Sequence, residues 1–238
     1  MPIVVEVVDE EVTSKDLEEV FRYFTFVDEK FSTYKDMSEV MRLNRGELKE
    51  SEISLELKEV LNLSEETQLI TKGYFNVRRS DGSLDPSGLV KGWAIKKAAQ
   101  ILEGLGYKNF YIEAGGDIEV KGNNAEGKKW SVGIRNPFKK NEIVKVVYLD
   151  GGGIATSGTY EKGQHIYNPH KEGELEEILS LSVIGKDVYE ADRFATAAFA
   201  MGRAGIYFIE SLEGLEGYMI DKEEIGTETT GFNKYTHE

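Results

Sequence analysis

Residues 84–105 read LDPSGLVKGWAIKKAAQILEGL, and this stretch decides the fold. Its first part is rich in glycine and proline, which predicts a turn or loop, whereas small and apolar residues recur at helical spacing from about Lys91 to Leu105. The helix is expected to end at Gly104 or Gly106, and its apolar face comprises Ala94, Ala98, Leu102 and Leu105. A core helix that follows a glycine-rich turn is therefore the centre of the predicted fold.

The segments before this helix indicate one strand and two further helices. Residues 3–8 are strand-like, and Thr13 with Asp16 predicts a capping box at the start of a helix. The apolar positions of that helix are Leu17, Val20, Phe21, Phe24 and Val27. A second helix contains Leu57, Val60 and Leu61 and leads to a turn at Lys72-Gly73, and the polar, breaker-rich residues 78–87 predict a loop.

The segments after this helix are mainly strand-like. Strands are predicted at residues 110–112, 118–120, 130–134, 143–147, 179–184 and 217–220, and a helix of small residues at 191–201. Strands that are mostly neighbours in sequence, with helices interspersed irregularly, favour an α+β fold over a doubly wound parallel sheet. We therefore expect mixed, mostly antiparallel sheets with packed helices, in a single domain of residues 1–238 with one core or two fused lobes.

Composition excludes several classes of function. The chain has 29 Lys and Arg against 43 Asp and Glu, a net charge of −14, which disfavours a nucleic-acid partner. It has no cysteine, which excludes disulfides, zinc–thiolate sites and a cysteine nucleophile. No segment approaches about 18 continuous apolar residues. The N-terminus as written predicts a cytoplasmic protein, whereas removal of a leader from a longer precursor would place it outside the cytoplasm.

Glycine is concentrated in three places that could admit a phosphate. These are Gly88/Gly92, Gly115/Gly116 and the group formed by Gly151, Gly152, Gly153 and Gly158. Glycine allows a backbone to approach a ligand closely, and a helix that begins near Lys91 would add positive partial charge. Ordinary tight turns are the alternative, since none of the three matches a known phosphate-binding loop pattern.

Two side chains on the 191–201 helix are candidates for a metal site. Asp192 and Thr196 are four residues apart, so their oxygens share one helix face and could reach a single hard cation such as Mg²⁺. The alternative is an aspartate that caps the helix and a threonine in the core. His165 is one of three histidines, and the residue alone is compatible with either a catalytic or a structural role.

Six segments, in this order, resemble the FAD:protein FMN transferase family, also called the thiamine-biosynthesis lipoprotein (ApbE-like) family. The similar segments are Phe31-Ser32-Thr33-Tyr34 with Ser38-Glu39 and Leu43-Asn44-Arg45, residues 84–92 (LDPSGLVKG), 113–118 (EAGGDI), 155–160 (ATSGTY), 165–169 (HIYNP) and 191–197 (ADRFATA). Nearly the whole chain is covered. The chain departs from the family by a shortened segment, about nine residues, between Phe75 and Asp85.

The resemblance implies an ApbE-like (T-fold-like) architecture and a role for each site residue. Tyr34 would contact the adenosine half of FAD, and Asp85 and Lys91 would hold the dinucleotide. The Gly88 carbonyl, Asp192 and Thr196 would ligate Mg²⁺. Thr156, Ser157 and Gly158 would line the flavin end, with His165 beside the flavin or its phosphate. The catalytic candidates are His165, as a proton relay, and Lys91.

The implied reaction transfers the FMN moiety of FAD to a Ser or Thr hydroxyl of an acceptor flavoprotein and releases AMP. The nucleophile belongs to the acceptor. With water in place of the hydroxyl, the same site would be an FAD pyrophosphatase that produces FMN and AMP. A catalytically degenerate FAD-binding protein is the third alternative, and the oligomeric state is left open.

Overall fold

The computed structural model describes residues 1–79, 81–139, 141–159, 166, 168–170 and 177–237. Within them, one sheet has seven strands in the order β1-β2-β3-β6-β7-β8-β9, and all neighbouring strands are antiparallel. These strands are β1 (Ile3–Val7), β2 (Phe110–Ala114), β3 (Asp117–Lys121), β6 (Gly151–Gly158), β7 (Ile178–Gly185), β8 (Glu216–Asp221) and β9 (Gly226–Glu228). A separate hairpin consists of β4 (Trp130–Arg135) and β5 (Ile143–Leu149).

Six α-helices accompany the sheets in the described part of the chain. They are α1 (Ser14–Phe31), α2 (Glu39–Asn44), α3 (Leu55–Ile70), α4 (Ser87–Gly104), α5 (Val188–Ala200) and α6 (Gly205–Glu210). The capping box at the start of α1 is confirmed, because the Thr13 hydroxyl accepts from the Asp16 N–H and the Asp16 carboxylate accepts from the Thr13 N–H. The α+β prediction with mostly antiparallel sheets is also confirmed.

The seven-stranded sheet separates the helices from the β4–β5 hairpin. Side chains alternate along a strand, so each strand buries two different sets of residues. On the helical face, Ala155, Leu181 and Val183 pack with α5 residues such as Ala195 and Phe199. On the opposite face, Ile118, Val120, Ile154 and Ile184 pack with the hairpin residues Trp130, Val132 and Val147. A third cluster joins α1, α3 and α4 to β1 and β2.

Helix α4 begins earlier than its sequence pattern predicts. It starts at Ser87 rather than near Lys91, because the Asp85 carboxylate accepts a hydrogen bond of 3.1 Å from the Ser87 N–H and so satisfies a first-turn donor. The prediction that Leu105 lies on the buried face was also wrong, since this residue follows the last helical position and is 41% exposed. Lys91 therefore lies in the second turn of the helix.

Strand β6 was not predicted, since three consecutive glycines at its start carry no strand signal. The structure explains Gly152 and Gly153 by the close approach of neighbouring backbone, from the end of β7 and the start of α5. A Cβ on Gly153 would lie 2.3 Å from the Val188 nitrogen, and one on Gly152, whose φ is +88°, would lie 2.5 Å from the Gly185 carbonyl oxygen. A side chain at Gly153 would force α5 away from the sheet, and one at Gly152 would clash with the end of β7.

The segment before α4 is hydrogen-bonded to α2 through the side chain of Asn44. The Asn44 amide donates to the Leu84 carbonyl at 3.0 Å and accepts from the Leu84 N–H at 2.7 Å, so both backbone polar groups of Leu84 are satisfied by one side chain. Leu84 itself is buried and forms an isolated antiparallel bridge with Arg78. These contacts determine where Asp85 and the first turn of α4 lie.

None of the helices in the described residues is long and apolar enough to span a membrane.

Candidate functional site

Helices α4 and α5 pack antiparallel and close together, and their contacts follow one another turn by turn. The Thr196 hydroxyl donates to the Gly88 carbonyl at 3.3 Å, and the Gly92 N–H donates to Asp192 Oδ2 at 2.8 Å. One turn further, Lys96 Nζ lies 2.7 Å from Asp187 Oδ2. A Cβ on Gly92 would lie 2.7 Å from the Asp192 Cβ, so this helix spacing requires glycine.

Lys91 faces two buried carboxylates at this helix pair. Its Nζ lies 2.5 Å from Asp117 Oδ2 and 3.9 Å from Asp192 Oδ1. Asp117 is 1% exposed and Asp192 is 4% exposed. Burial raises the pKa of Asp192 above its ordinary value, Lys91 opposes this rise, and the Asp117 carboxyl adds to it. If both carboxyls are ionised, the cluster of Lys91, Asp117 and Asp192 carries more negative than positive charge, away from solvent.

Asp117 was quoted in a sequence motif but was not among the predicted site residues. It is the first residue of β3 and follows a two-residue turn, in which Gly115 and Gly116 have φ values of +60° and +91°. Such a turn requires positive φ at both positions, which explains both glycines without a ligand. The nearest signal in the sequence was an acidic residue directly after this glycine pair.

Strand β6 presents its predicted site residues on two different faces of the sheet. The Ser157 hydroxyl lies 3.5 Å from the Thr196 hydroxyl, on the face covered by α5. The Thr156 hydroxyl lies on the other face, 2.8 Å from the Ser182 hydroxyl. Only the backbone N–H of Thr156 contacts the group around Lys91, because it lies 3.2 Å from Asp117 Oδ1. Gly158, the last residue of the strand, pairs with Ser180.

Asp85 and Tyr34 lie with Arg79 at the N-terminal end of α4. The Arg79 guanidinium pairs with Asp85 Oδ2. Burial acts to raise the pKa of Asp85, but the hydrogen bonds from Ser87 and Arg79 outweigh it and the pKa lies below its ordinary value. Tyr34 lies near Arg79, and its side chain is 94% exposed. The exposed tyrosine ring is therefore available to a ligand.

The predicted catalytic residue His165 lies outside the described residues. Five positions later, His170 is described, and its imidazole Nε2 lies 2.9 Å from the Lys72 carbonyl oxygen. The same ring packs edge-on against Tyr74, with 4.6 Å between ring centroids. His170 thus contacts the turn that follows α3, and its interactions are those of a structural residue.

The oxygen atoms of Gly88, Thr196 and Asp192 are suitable donors for a hard cation such as Mg²⁺. The Gly88 carbonyl and Thr196 hydroxyl are already within 3.3 Å of each other, and Asp192 supplies a charged oxygen. The described residues contain no cluster of three or more His, Cys, Asp and Glu side chains that could hold a metal by themselves. A cation here would need additional oxygens from water or from a phosphate.

The chain was next compared with known proteins. The ApbE family profile matches residues 1–78 and 77–219. The chain is 31% identical over 150 residues to the FAD:protein FMN transferase of Escherichia coli K12, covering 59% of this chain and 43% of the relative. It is 30% identical over 167 residues to the enzyme of that name from Haemophilus influenzae, covering 64% and 48% of the two chains. The matches thus span less than half of each relative's length.

Solved structures confirm the expected architecture. The fold superimposes on an ApbE protein from Thermotoga maritima with a TM-score of 0.86 at 20% identity, covering 99% of this chain and 95% of the other. It superimposes on the flavin transferase ApbE from Vibrio cholerae with a TM-score of 0.85 at 22% identity, covering 98% and 95%. Together with the profile match over most of the sequence, this similarity confirms the resemblance seen in the six motifs. The chain belongs to the ApbE family.

Proposed function

We propose that this protein is a Mg²⁺-dependent transferase that moves the FMN moiety of FAD to a Ser or Thr hydroxyl of an acceptor flavoprotein and releases AMP. The family membership and the names of the curated relatives support a flavin transfer reaction. Residues from both halves of the chain converge on one cluster, which supports the proposal that residues 1–238 act as a single domain.

The observation that carries the proposal is the charge of the buried cluster. Asp117 and Asp192 share Lys91, and one helical turn after Asp192 the Thr196 hydroxyl donates to the Gly88 carbonyl. Burying two carboxylates against one ammonium is unfavourable unless further positive charge compensates. A divalent cation held by Asp192, Thr196 and Gly88 would provide that charge and would retain open positions for phosphate oxygens.

In the proposed reaction, the site residues have separate roles in binding and positioning the substrate. A bound Mg²⁺ would neutralise the FAD pyrophosphate. Lys91 would add its ammonium on the same side and, with Asp85, would hold the dinucleotide, whereas Tyr34 would contact the adenosine half. The acceptor hydroxyl forms a bond to the FMN phosphorus as the bond from that phosphorus to the AMP oxygen breaks. The hydroxyl proton passes to a base, for which His165 is the candidate.

The proposal is tested by incubating purified protein with FAD and Mg²⁺, with and without a peptide that carries a D-x-x-S/T-G-A-T acceptor sequence. AMP is measured by chromatography, and flavin on the peptide by mass spectrometry and fluorescence. A matched peptide with alanine in place of the Ser or Thr controls for non-covalent flavin, and EDTA controls for the requirement for a divalent cation.

Three results separate the alternatives. Covalent flavin on the peptide, with AMP released in equal amount, supports the transferase. If AMP and FMN are released without the peptide at the same rate as with it, the protein is an FAD pyrophosphatase and not a transferase. FAD binding without AMP in either reaction would leave a catalytically degenerate binding protein.

A further inference from the structure

Asp117 contacts two of the residues that the sequence assigns to the site, Lys91 and Thr156, although it was not assigned there itself. One carboxylate oxygen, Oδ2, lies 2.5 Å from Lys91 Nζ, and the other, Oδ1, accepts from the Thr156 N–H at 3.2 Å. The Asp117 carboxyl is also close enough to Asp192 to raise its pKa. One oxygen of Asp117 is thus ion-paired with α4 and the other accepts a hydrogen bond from β6, so the two contacts restrict the orientation of the carboxylate.

Lys91 lies at unequal distances from the two carboxylates. Its Nζ is in direct contact with Asp117 but 3.9 Å from Asp192 Oδ1, which is beyond hydrogen-bond distance. The other oxygen of Asp192 accepts from the Gly92 N–H. Oδ1 is therefore the Asp192 oxygen that a cation would use, and the Lys91 ammonium is the protein's own competitor for it.

We propose that Asp117 is a positioning residue, which retains the Lys91 ammonium and thereby leaves Asp192 Oδ1 to a divalent cation. This inference rests on the proposed function, because it assumes that Asp192 is a metal ligand. Without the charge of Asp117, a displacement of about 1 Å would bring Lys91 into a charge-assisted hydrogen bond with Asp192. The lysine would then occupy the ligand position.

The test compares Mn²⁺ binding, measured from the electron paramagnetic resonance signal of free Mn²⁺, in wild type, Asp117→Asn and the double variant Asp117→Asn/Lys91→Met. Asparagine keeps an oxygen for the Thr156 N–H but loses the charge. We expect Asp117→Asn to bind Mn²⁺ about tenfold more weakly than wild type, which is the usual effect of removing a residue that supports a metal ligand. The double variant should recover to within about threefold of wild type, since the competing ammonium is gone.

Glu119→Gln is the matched control. Glu119 is on the same strand and the same sheet face, is also buried, and accepts from the Val188 N–H rather than contacting Lys91. This variant should bind Mn²⁺ like wild type. Equal binding by Asp117→Asn and wild type, or no recovery in the double variant, would overturn the inference. If Asp117→Asn does not fold, recovery of folding in the double variant supports the pairing, and failure of both argues against it.

A crystal structure of Asp117→Asn separates this inference from the proposed function. If the wild-type protein binds no Mn²⁺, Asp192 is not a metal ligand, and this result argues against the proposed function. The variant structure decides the role of Asp117 independently: Lys91 Nζ in hydrogen-bond contact with Asp192 supports it, and an unmoved Lys91 overturns it.

Discussion

The backbone N–H of Gly92 donates a 2.8 Å hydrogen bond to Asp192 Oδ2, and this contact joins the two helices that form the candidate site. A Cβ on Gly92 would lie 2.7 Å from the Asp192 Cβ and 2.8 Å from the Val188 carbonyl oxygen. We therefore expect Gly92→Ala to force α4 and α5 apart and to lower the free energy of unfolding by about 1–3 kcal/mol, measured by urea denaturation.

Gly104→Ala is the control for this substitution, because it is in the same helix and a Cβ there would have no atom within 4 Å. It should raise stability by about 0.5–1 kcal/mol through the lower conformational entropy of the unfolded chain. A Gly92→Ala protein as stable as wild type would mean that the helix spacing does not depend on glycine.

Asp192→Asn should abolish Mg²⁺-dependent AMP release from FAD while the protein remains folded. The amide oxygen can still accept from the Gly92 N–H, and Lys91 keeps Asp117 as its partner, so the packing is retained. The charge that a divalent cation needs is lost, and we expect AMP release at about 1 mM Mg²⁺ to fall by about a hundredfold or more. AMP is quantified by chromatography, and folding by circular dichroism.

Asp187→Asn tests whether any charge loss on α5 has the same effect. Asp187 is the N-cap of α5, where asparagine is an equally good cap, and it pairs with Lys96 rather than Lys91. This variant should keep wild-type AMP release. Activity retained in Asp192→Asn would exclude Asp192 as a metal ligand.

The fold was largely predictable because local patterns determine most of its elements. The capping box at Thr13 and Asp16 and the apolar spacing of α1 are local signals. The capping box proved correct, and so did the burial of Val20, Phe24 and Val27, whereas Phe21 is 41% exposed. The start of α4 was wrong because it depends on a hydrogen bond from Ser87 to Asp85, within a segment whose composition predicts only a loop. Strand β6 was missed because Gly152 and Gly153 are explained by contacts with the end of β7 and the start of α5, which lie more than thirty residues later in the sequence.

The site was less predictable because its contacts join residues far apart in the sequence. The spacing of Asp192 and Thr196 indicates a shared helix face, but it cannot show that Gly88 lies opposite them. Asp117 was missed for the same reason, since its partners Lys91 and Thr156 belong to other elements. The ordered motifs of the family supplied this long-range information. They include Asp117, in residues 113–118, but they gave it no role in the predicted site.

Arg79→Met should weaken FAD binding without changing the fold. Arg79 neutralises Asp85, a largely buried carboxylate near the start of α4, and the uncompensated charge would repel the FAD pyrophosphate. Because Arg79 is half exposed, the effect should be moderate, about three- to tenfold in the dissociation constant, and smaller at about 0.5 M salt. Flavin fluorescence titrations at the two salt concentrations measure it.

The neighbouring Arg78 provides the comparison, since it pairs at 3.0 Å with Glu50 instead of Asp85. Arg78→Met removes the same charge from the same segment. It should change the dissociation constant for FAD less than about twofold, because an exposed ion pair contributes little free energy. Equal losses in both variants would show that only the net charge of the segment matters.

Glu119→Gln should change how stability depends on pH. Burial raises the pKa of Glu119 to about 8, against an ordinary value of 4.5, although the hydrogen bond from Val188 opposes the rise. Between these pH values the folded protein binds more protons than the unfolded chain, so the contribution of Glu119 to the free energy of unfolding falls as pH rises. The slope is at most about 1.4 kcal/mol per pH unit.

Glutamine resembles the protonated carboxyl and keeps an oxygen for the Val188 N–H, so the variant should lack this decline. The two proteins should be about equally stable near pH 4.5, and the variant should be more stable by about 1–3 kcal/mol at pH 8, measured by urea denaturation across that range. Glu126→Gln, at an exposed position, corrects for removing one negative charge from a chain of net charge −14. A stability difference between Glu119→Gln and wild type that stays constant from pH 4.5 to 8 would show that Glu119 is already ionised in the folded protein at the acid end. The hydrogen bond to Val188 at the start of α5 would then be accepted by a carboxylate, and burial would not control its ionisation.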